Sequence, residues 1–292
     1  MRSAQLFLFL VITSLLSSTL YAGQSIITEG EGYACMGDDK SRKVTETTAV
    51  ADAKRKATES AATYIKSETH IKDAMLEKDL LSAYTNAQVK ILQELMKEWY
   101  KEQNLGDCYR VKLKVEVLPD EKTMAQNAKK RSETLDNDPS TPLAIKVWTD
   151  KKNYSHGQKI RIYVKGNKPF YGRVVYKDAE GKLVQLLPNP HRTENYFNGG
   201  VVYELPGNGD RFDLEVTPPF GNEIVTVYGS TSPLGEIETT TAGGVFGIMT
   251  KATDVATNTR GVKVKSNVSE GAARPSAAEF AEVGVEVITG GN

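Results

Sequence analysis

An α+β domain (strand, helices, β-hairpin) followed by an all-β antiparallel sandwich is the fold class this sequence predicts, and three observations carry it. Between Ala144 and Ser230, short strand-like runs and turn signals keep a regular beat. Ahead of that region, alanines at four-residue spacing, Ala53, Ala57 and Ala61, mark a helix able to sit close to a sheet. Cys108-Tyr-Arg-Val-Lys-Leu-Lys-Val-Glu-Val117 alternates as a strand does, and Gln103-Asn-Leu-Gly-Asp107 before it suits a hairpin turn.

In the rear region, Lys159-Ile-Arg-Ile-Tyr-Val-Lys165 alternates polar and apolar residues between Gly157 and Gly166. Runs 173–177 and 183–187 flank Asp178-Ala-Glu-Gly181, whose acidic residues and glycine suit a hairpin loop. Runs 201–203, 212–216 and 224–228 complete the series, with breakers at Pro188-Asn-Pro190, Pro206-Gly-Asn-Gly209 and Pro218-Pro-Phe-Gly221. About seven short strands at this spacing predict an Ig-like sandwich or a small barrel. With a loop and strand after it, this domain spans 144–290.

The succession Tyr154-Ser-His-Gly-Gln-Lys-Ile160, Leu186-Leu-Pro-Asn189, then Phe212 to Val216 followed by Thr-Pro-Pro-Phe-Gly221, resembles the bacterial domain of unknown function 4384. That family opens on Y-x-x-G-D, carries an L-Y-P-N element and ends on a late strand with a P-x-G turn. This chain has Gln158 at the acidic position and Leu187 at the aromatic one. The resemblance implies an extracytoplasmic binding or assembly module and brings no catalytic residue with it.

Residues 1–22 have the regions of a secretory signal: Arg2, an apolar run from Leu6 to Leu16, and Ser17-Ser-Thr-Leu-Tyr-Ala22 with cleavage after Ala22. An uncleaved anchor is the alternative, because Leu20 is large for its position. The run is short for a membrane span, and no later stretch is long and apolar enough for one. Address and partners follow: periplasmic or extracellular, with other envelope proteins or glycans as partners and homo-oligomerisation left open. With 37 basic and 37 acidic residues the chain is neutral, which gives no electrostatic reason to bind nucleic acid.

The front domain covers 23–118. Residues 24–34 read as a first strand interrupted by Gly30 and Gly32, and Asp38, Asp39 and Ser41 offer caps for the alanine-rich helix. A second helix falls within 73–86. Residues 89–100 have helical spacing through Ile91, Leu92, Leu95, Met96 and Trp99, yet the strand at 108–117 needs a partner. Thr28-Glu-Gly-Glu-Gly-Tyr-Ala34, the A-x-x-x-A helix and Tyr109-Arg-Val-Lys-Leu-Lys-Val115 resemble the N-terminal module of the flagellar T-ring protein and related lipoproteins, which implies that 89–100 is strand. The two cysteines, Cys35 and Cys108, fall in this domain; in an oxidising compartment they form a disulfide, a metal or redox pair being the alternative.

Residues 119–143 read as a charged, proline-stiffened linker. Val245-Phe-Gly-Ile-Met249 reads as a surface loop or a small helix. Residues 280–289 regain strand character, for an edge of the preceding sheet or for donation to another protein.

His70, His156 and His191 are scattered, and no H-E-x-x-H, G-x-S-x-G, P-loop or dinucleotide pattern occurs. The sequence therefore predicts no cofactor, no metal and no catalysis. Tyr171, Asn189, His191, Arg192, Tyr196 and Phe197 form the candidate partner surface, as aromatic and polar groups on loops held by a sheet. The alternative reading of these rings is inward packing.

Overall fold

The computed structural model describes residues 19–38, 40–68, 74–124, 138–242, 245–250, 252–260 and 277–291. Its front part contains β1 (Thr19–Cys35), α1 (Arg42–Glu68), α2 (Ala74–Thr85), β2 (Gln88–Glu102) and β3 (Gly106–Leu118). Behind it come β4 (Ile145–Thr149), β5 (Asn153–Ser155), β6 (Ile162–Gly166), β7 (Phe170–Lys177), β8 (Leu183–Leu187), β9 (Tyr196–Phe197), β10 (Tyr203–Leu205) and β11 (Asn222–Ser230). The chain closes through β12 (Thr239–Ala242), β13 (Val245–Ile248), α3 (Ala252–Thr259) and β14 (Ala278–Gly290). A helix-backed α+β front and a two-layer antiparallel β rear are therefore present, as the sequence predicts.

In the front part, Ser41 caps α1 by accepting the Val44 N–H on its Oγ at 3.3 Å. Ala49, Ala53, Ala57 and Ala61 are fully buried against β1 and β3. The approach is so close that a Cβ on Gly32 would lie 2.1 Å from the Ala49 carbonyl oxygen, and one on Gly30 2.2 Å from that of Ala53. Glycine on the strand and alanine on the helix thus remove the side chains that would hold the two apart. Residues 89–100 are strand, in register with β3 from Gln88↔Leu118 to Glu102↔Gly106. The helical spacing of their apolar residues comes from two irregularities, at Ile91/Gln93 and Glu94/Met96, which shift the face each side chain occupies. Cys35 and Cys108 are opposed partners in the β1–β3 ladder and form a disulfide.

One eleven-stranded sheet runs through both parts in the order β12-β13-β8-β7-β11-β14-β1-β3-β2, with β5 beside β14 and β9 beside β7. The second sheet, β10-β6-β4, covers the rear part of the first. Between them lies the sandwich core, with Ile145, Val147, Ile162 and Val164 facing Phe170, Val174, Val225, Val227, Val283 and Val285.

Several expectations are corrected. Residues 280–289 do not lie at an edge: β14 is interior, pairing β11 over Asn222↔Ile288 to Ser230↔Phe280 and β1 through Ser25↔Phe280 to Ile27↔Ala278. Residues 245–248 are neither a surface loop nor a helix but strand, since β13 pairs β8 and β12; the helix follows, as α3. Residues 212–216 make no ladder. They run extended beside 157–160, with Ile160 N–H on Leu214 O at 2.8 Å and Val216 N–H on Gln158 O at 2.9 Å.

Of residues 119–143, those at 125–137 lie outside the described residues, whereas Thr141 and Leu143 are buried. Asn167 donates from Nδ2 to the Thr141 and Pro142 carbonyls at 3.2 and 3.1 Å, and Gln24 to that of Leu143 at 2.9 Å. Glu279, also buried, accepts Lys168 Nζ at 2.9 Å and the Leu143 N–H. The chain is thus tied to the sheet where it enters the rear part.

On the face of the large sheet opposite the sandwich, α3 packs Val255 against Ile27, Val175, Tyr228 and Phe280. Arg260, just beyond α3, donates to Glu116 at 2.6 Å and Glu282 at 2.7 Å and lies over the Phe280 ring. Among the described residues no helix is long and apolar enough to cross a membrane.

Candidate functional site

The sandwich is open at one end. At the open end a cavity of about 350 Å³ lies between β7, β8 and β11 on one side and the extended segment 213–219 on the other. Its apolar floor is Ile160, Ile162, Val184, Leu186, Leu214 and Val225. That volume falls in the range of small-ligand sites, and an apolar floor with a few fixed polar groups is their usual make-up.

The polar groups are placed by the strands. On β11, Glu223, Val225 and Val227 share the inward face; the last two enter the core, and Glu223 reaches the mouth, where it is 1% exposed. Its Oε1 accepts Thr289 Oγ1 at 3.0 Å, and its Oε2 accepts the Tyr176 hydroxyl. Burial first, and the Glu223 contact second, push the Tyr176 phenol far above the ordinary tyrosine range, so it stays protonated and donates. Asp178 closes the β7–β8 hairpin by accepting the N–H groups of Glu180 and Lys182 on Oδ1 at 3.0 and 2.8 Å. Asp213 holds Lys159 at 2.8 Å across the rim. Altogether four carboxylates (Asp178, Asp213, Glu215, Glu223) and one amine (Lys182) line the cavity.

The candidate partner surface is divided. Phe197 is fully buried, stacked on Phe170 at 4.9 Å, and Asn189 is 2% exposed. Both are corrected to interior residues. Asn189 builds a turn: its Oδ1 accepts the N–H groups of His191 and Arg192, each at 2.8 Å, and its Nδ2 donates to Leu186 O. Arg192 is pinned to Asp210 at 3.1 Å. Tyr196 is exposed and meets the half-buried Tyr171 edge-on at 5.1 Å, while exposed His191 lies near Phe212. These residues do not converge on the cavity. Two-residue strand β9 sends alternate rings to opposite sides, so Tyr196 and Phe197 separate.

Sequence reading missed Glu223 and Tyr176 as a pair. A signal was available for Glu223: an acid at an inward position of an otherwise apolar period-two run. Nothing local joins it to Tyr176, whose nearness depends on the β7–β11 pairing, Val225↔Tyr176.

Elsewhere the geometry is less suited to a ligand. A depression at the β1 edge, lined by Glu29, Glu31, Tyr33 and Lys56, lacks an apolar floor, and its acids are bound to Lys112 and Arg110. Among the described residues the grouping with metal-ligand spacing is Cys35, Glu102 and Cys108, whose sulfurs are bonded to each other. His156 sits in an exposed turn, its N–H on Gly290 O at 2.9 Å, and His70 lies outside the described residues.

Fold and cavity together define a β-sandwich domain, open at one end, continuous through its main sheet with an α+β domain. Residues 153–233, which hold the whole cavity lining, match the model of a family described as a domain of unknown function, DUF4384. No curated protein matches the chain. Among solved structures it is similar, at 10% identity and a TM-score of 0.24, to a DUF4785 family protein from Legionella pneumophila; the match covers 79% of this chain and 53% of that one. The chain thus spans about half the length of that protein.

Proposed function

We propose that this is an exported, non-enzymatic binding or scaffold protein of the bacterial cell envelope, and that the open end of its sandwich takes the partner. The carrying observation is the cavity itself, an apolar floor and fixed polar rim held by strands of a large sheet. Its central polar groups are tied to one another: Tyr176 is held protonated and Glu223 is engaged by two hydroxyls, an arrangement for recognition rather than turnover. Export rests on the signal-like segment, which falls almost wholly outside the described residues. Cleavage after Ala22 leaves the Ser25↔Phe280 to Ile27↔Ala278 pairs and the whole β1–β3 ladder in place.

Two measurements test this reading. N-terminal sequencing of the protein from its own cells is expected to start at Gly23 in an envelope or secreted fraction; a cytoplasmic chain starting at Met1 overturns export. Thr217, exposed at the rim, is replaced by Trp to fill the mouth without touching the core. Capture of envelope proteins or glycans by the wild type, lost in Thr217→Trp, supports the site, and equal capture by both overturns it.

A second reading, a subunit of a ring-like or other envelope assembly, is favoured by β2. This fifteen-residue strand is an outer edge of the large sheet and exposes Ile91 and Leu95. Light scattering after size exclusion distinguishes the two, since a monomer at high concentration removes the assembly reading.

A further inference from the structure

Glu223 is a buried carboxylate whose partners are two hydroxyls, those of Tyr176 and Thr289, and among the described residues no cation pairs with it. The other deeply buried carboxylates of the described sheet are matched, Glu116 by Arg260 at 2.6 Å and Glu279 by Lys168 at 2.9 Å. A buried charge is ordinarily paired, because a charge removed from water loses its hydration. Glu223 differs from the other two in lining a cavity open to solvent. The rim repeats the sign, since Asp178, Asp213 and Glu215 face one lining amine, Lys182. Lys159 offsets only Asp213.

From these features we infer that the cavity receives a lysine side chain of a protein partner, its ammonium on Glu223 and its alkyl stem along Ile160, Ile162, Val184 and Val225. This rests on the reading of the open end as the binding surface. Lysine fits better than arginine for a geometric reason. Each Glu223 oxygen already accepts one hydroxyl, and the bearings of Tyr176 and Thr289 leave its remaining lone pairs short of the open, parallel pair that a guanidinium fork is built to meet. An ammonium is a point charge that needs one remaining lone pair, and its four-carbon stem is covered by the apolar floor.

The full chain is titrated with Nα-acetyl-lysine N-methylamide and followed through the methyl resonances of Ile160, Val184, Leu186 and Val225. Saturable shifts at those methyls are expected, with the neutral norleucine counterpart about tenfold or more weaker, since a site built for a polar group rejects its apolar isostere. Glu223→Gln, which keeps the shape, is expected to lose that preference with an unchanged fold by circular dichroism. Should Glu223→Gln not fold, Asp178→Asn replaces it, with a several-fold weakening expected. No shift with the lysine probe, equal binding of the norleucine probe, or unchanged affinity in the variant tested overturns the assignment. Tighter binding of 1,5-diaminopentane than of the lysine probe also overturns it, in favour of a free amine. If Thr217→Trp abolishes partner capture while the lysine probe fails to bind, the binding function stands and the lysine assignment alone falls.

Discussion

The two parts of this molecule share one sheet but cover it differently. In front, α1 lies on β1 with alanine against glycine, so closely that an added methyl would meet backbone atoms. In the rear, the cover is a second sheet, and side chains of both layers fill the space between. A helix laid flat on small residues leaves beside that contact only the open depression by Glu29, Glu31 and Lys56, which has no apolar floor. A short three-stranded layer over a longer one leaves an end uncovered, and there the cavity and its buried acid are found. The difference is geometric before it is chemical: the available room follows from what covers the sheet.

Each part carries one tryptophan, Trp99 in β2 and Trp148 in β4, so fluorescence of the single-tryptophan variants Trp99→Phe and Trp148→Phe can follow the parts separately. The largest effect is expected at Val285, which is 1% exposed and opposes Val225 on the strand common to both. Val285→Asp should cost more than about 4 kcal/mol, as a buried unpaired charge does. It should lower both tryptophan transitions together; movement of Trp148 alone would break the shared-sheet view.

Next come two core changes of opposite sense. Phe197→Ala removes a fully buried ring stacked on Phe170 and should cost about 3–5 kcal/mol. Gly32→Ala adds a methyl against the Ala49 carbonyl and should cost about 1–3 kcal/mol by overpacking. Urea unfolding checks both. A neutral Gly32→Ala would mean that α1 can move away, which would weaken the contrast drawn between the two covers.

The smallest effect is in alkali. Burial pushes the Tyr228 phenol up to about 12, against about 10 when unfolded. A raised phenol pKa stabilises fully below pH ~10 and loses that contribution as the pH climbs towards about 12. Burial raises Tyr154 and Tyr176 too, so the rear part carries three such groups. Phenolate absorbance is expected to rise together with loss of the Trp148 signal. Phenolate forming in a protein that stays folded would show these rings to be accessible.

Much of this was legible in the sequence because local pattern and tertiary role agree. The alternation of residues 108–117 and the alanine rhythm of α1 survive as read, and so does the strand beat behind Ala144 except at 201–202 and 212–216. Residues 89–100 were legible only through the need of β3 for a partner, because their irregularities imitate a helical period. Segment 212–216 has strand composition, but its backbone groups bond to a loop, and it became a wall of the cavity instead. The inner position of β14 could not be read, because period two says which residues face a core and not which strands lie to either side. The cavity was illegible for a similar reason. Its buried acid Glu223 is held by Tyr176 and Thr289 from two other strands, and spacing along the chain carries no trace of that meeting.

One consequence concerns the order of assembly. The strand that sews front to rear is the last in the described chain, and it bridges Ile26 to Glu279 and Ile224 to Glu286. Until it has been synthesised, β1 and β11 cannot be joined, and the long sequence separation of these contacts makes their formation slow. Such a polypeptide cannot complete its main sheet during elongation, and the final stitch locks the molecule shut only once β14 is free to insert between β11 and β1.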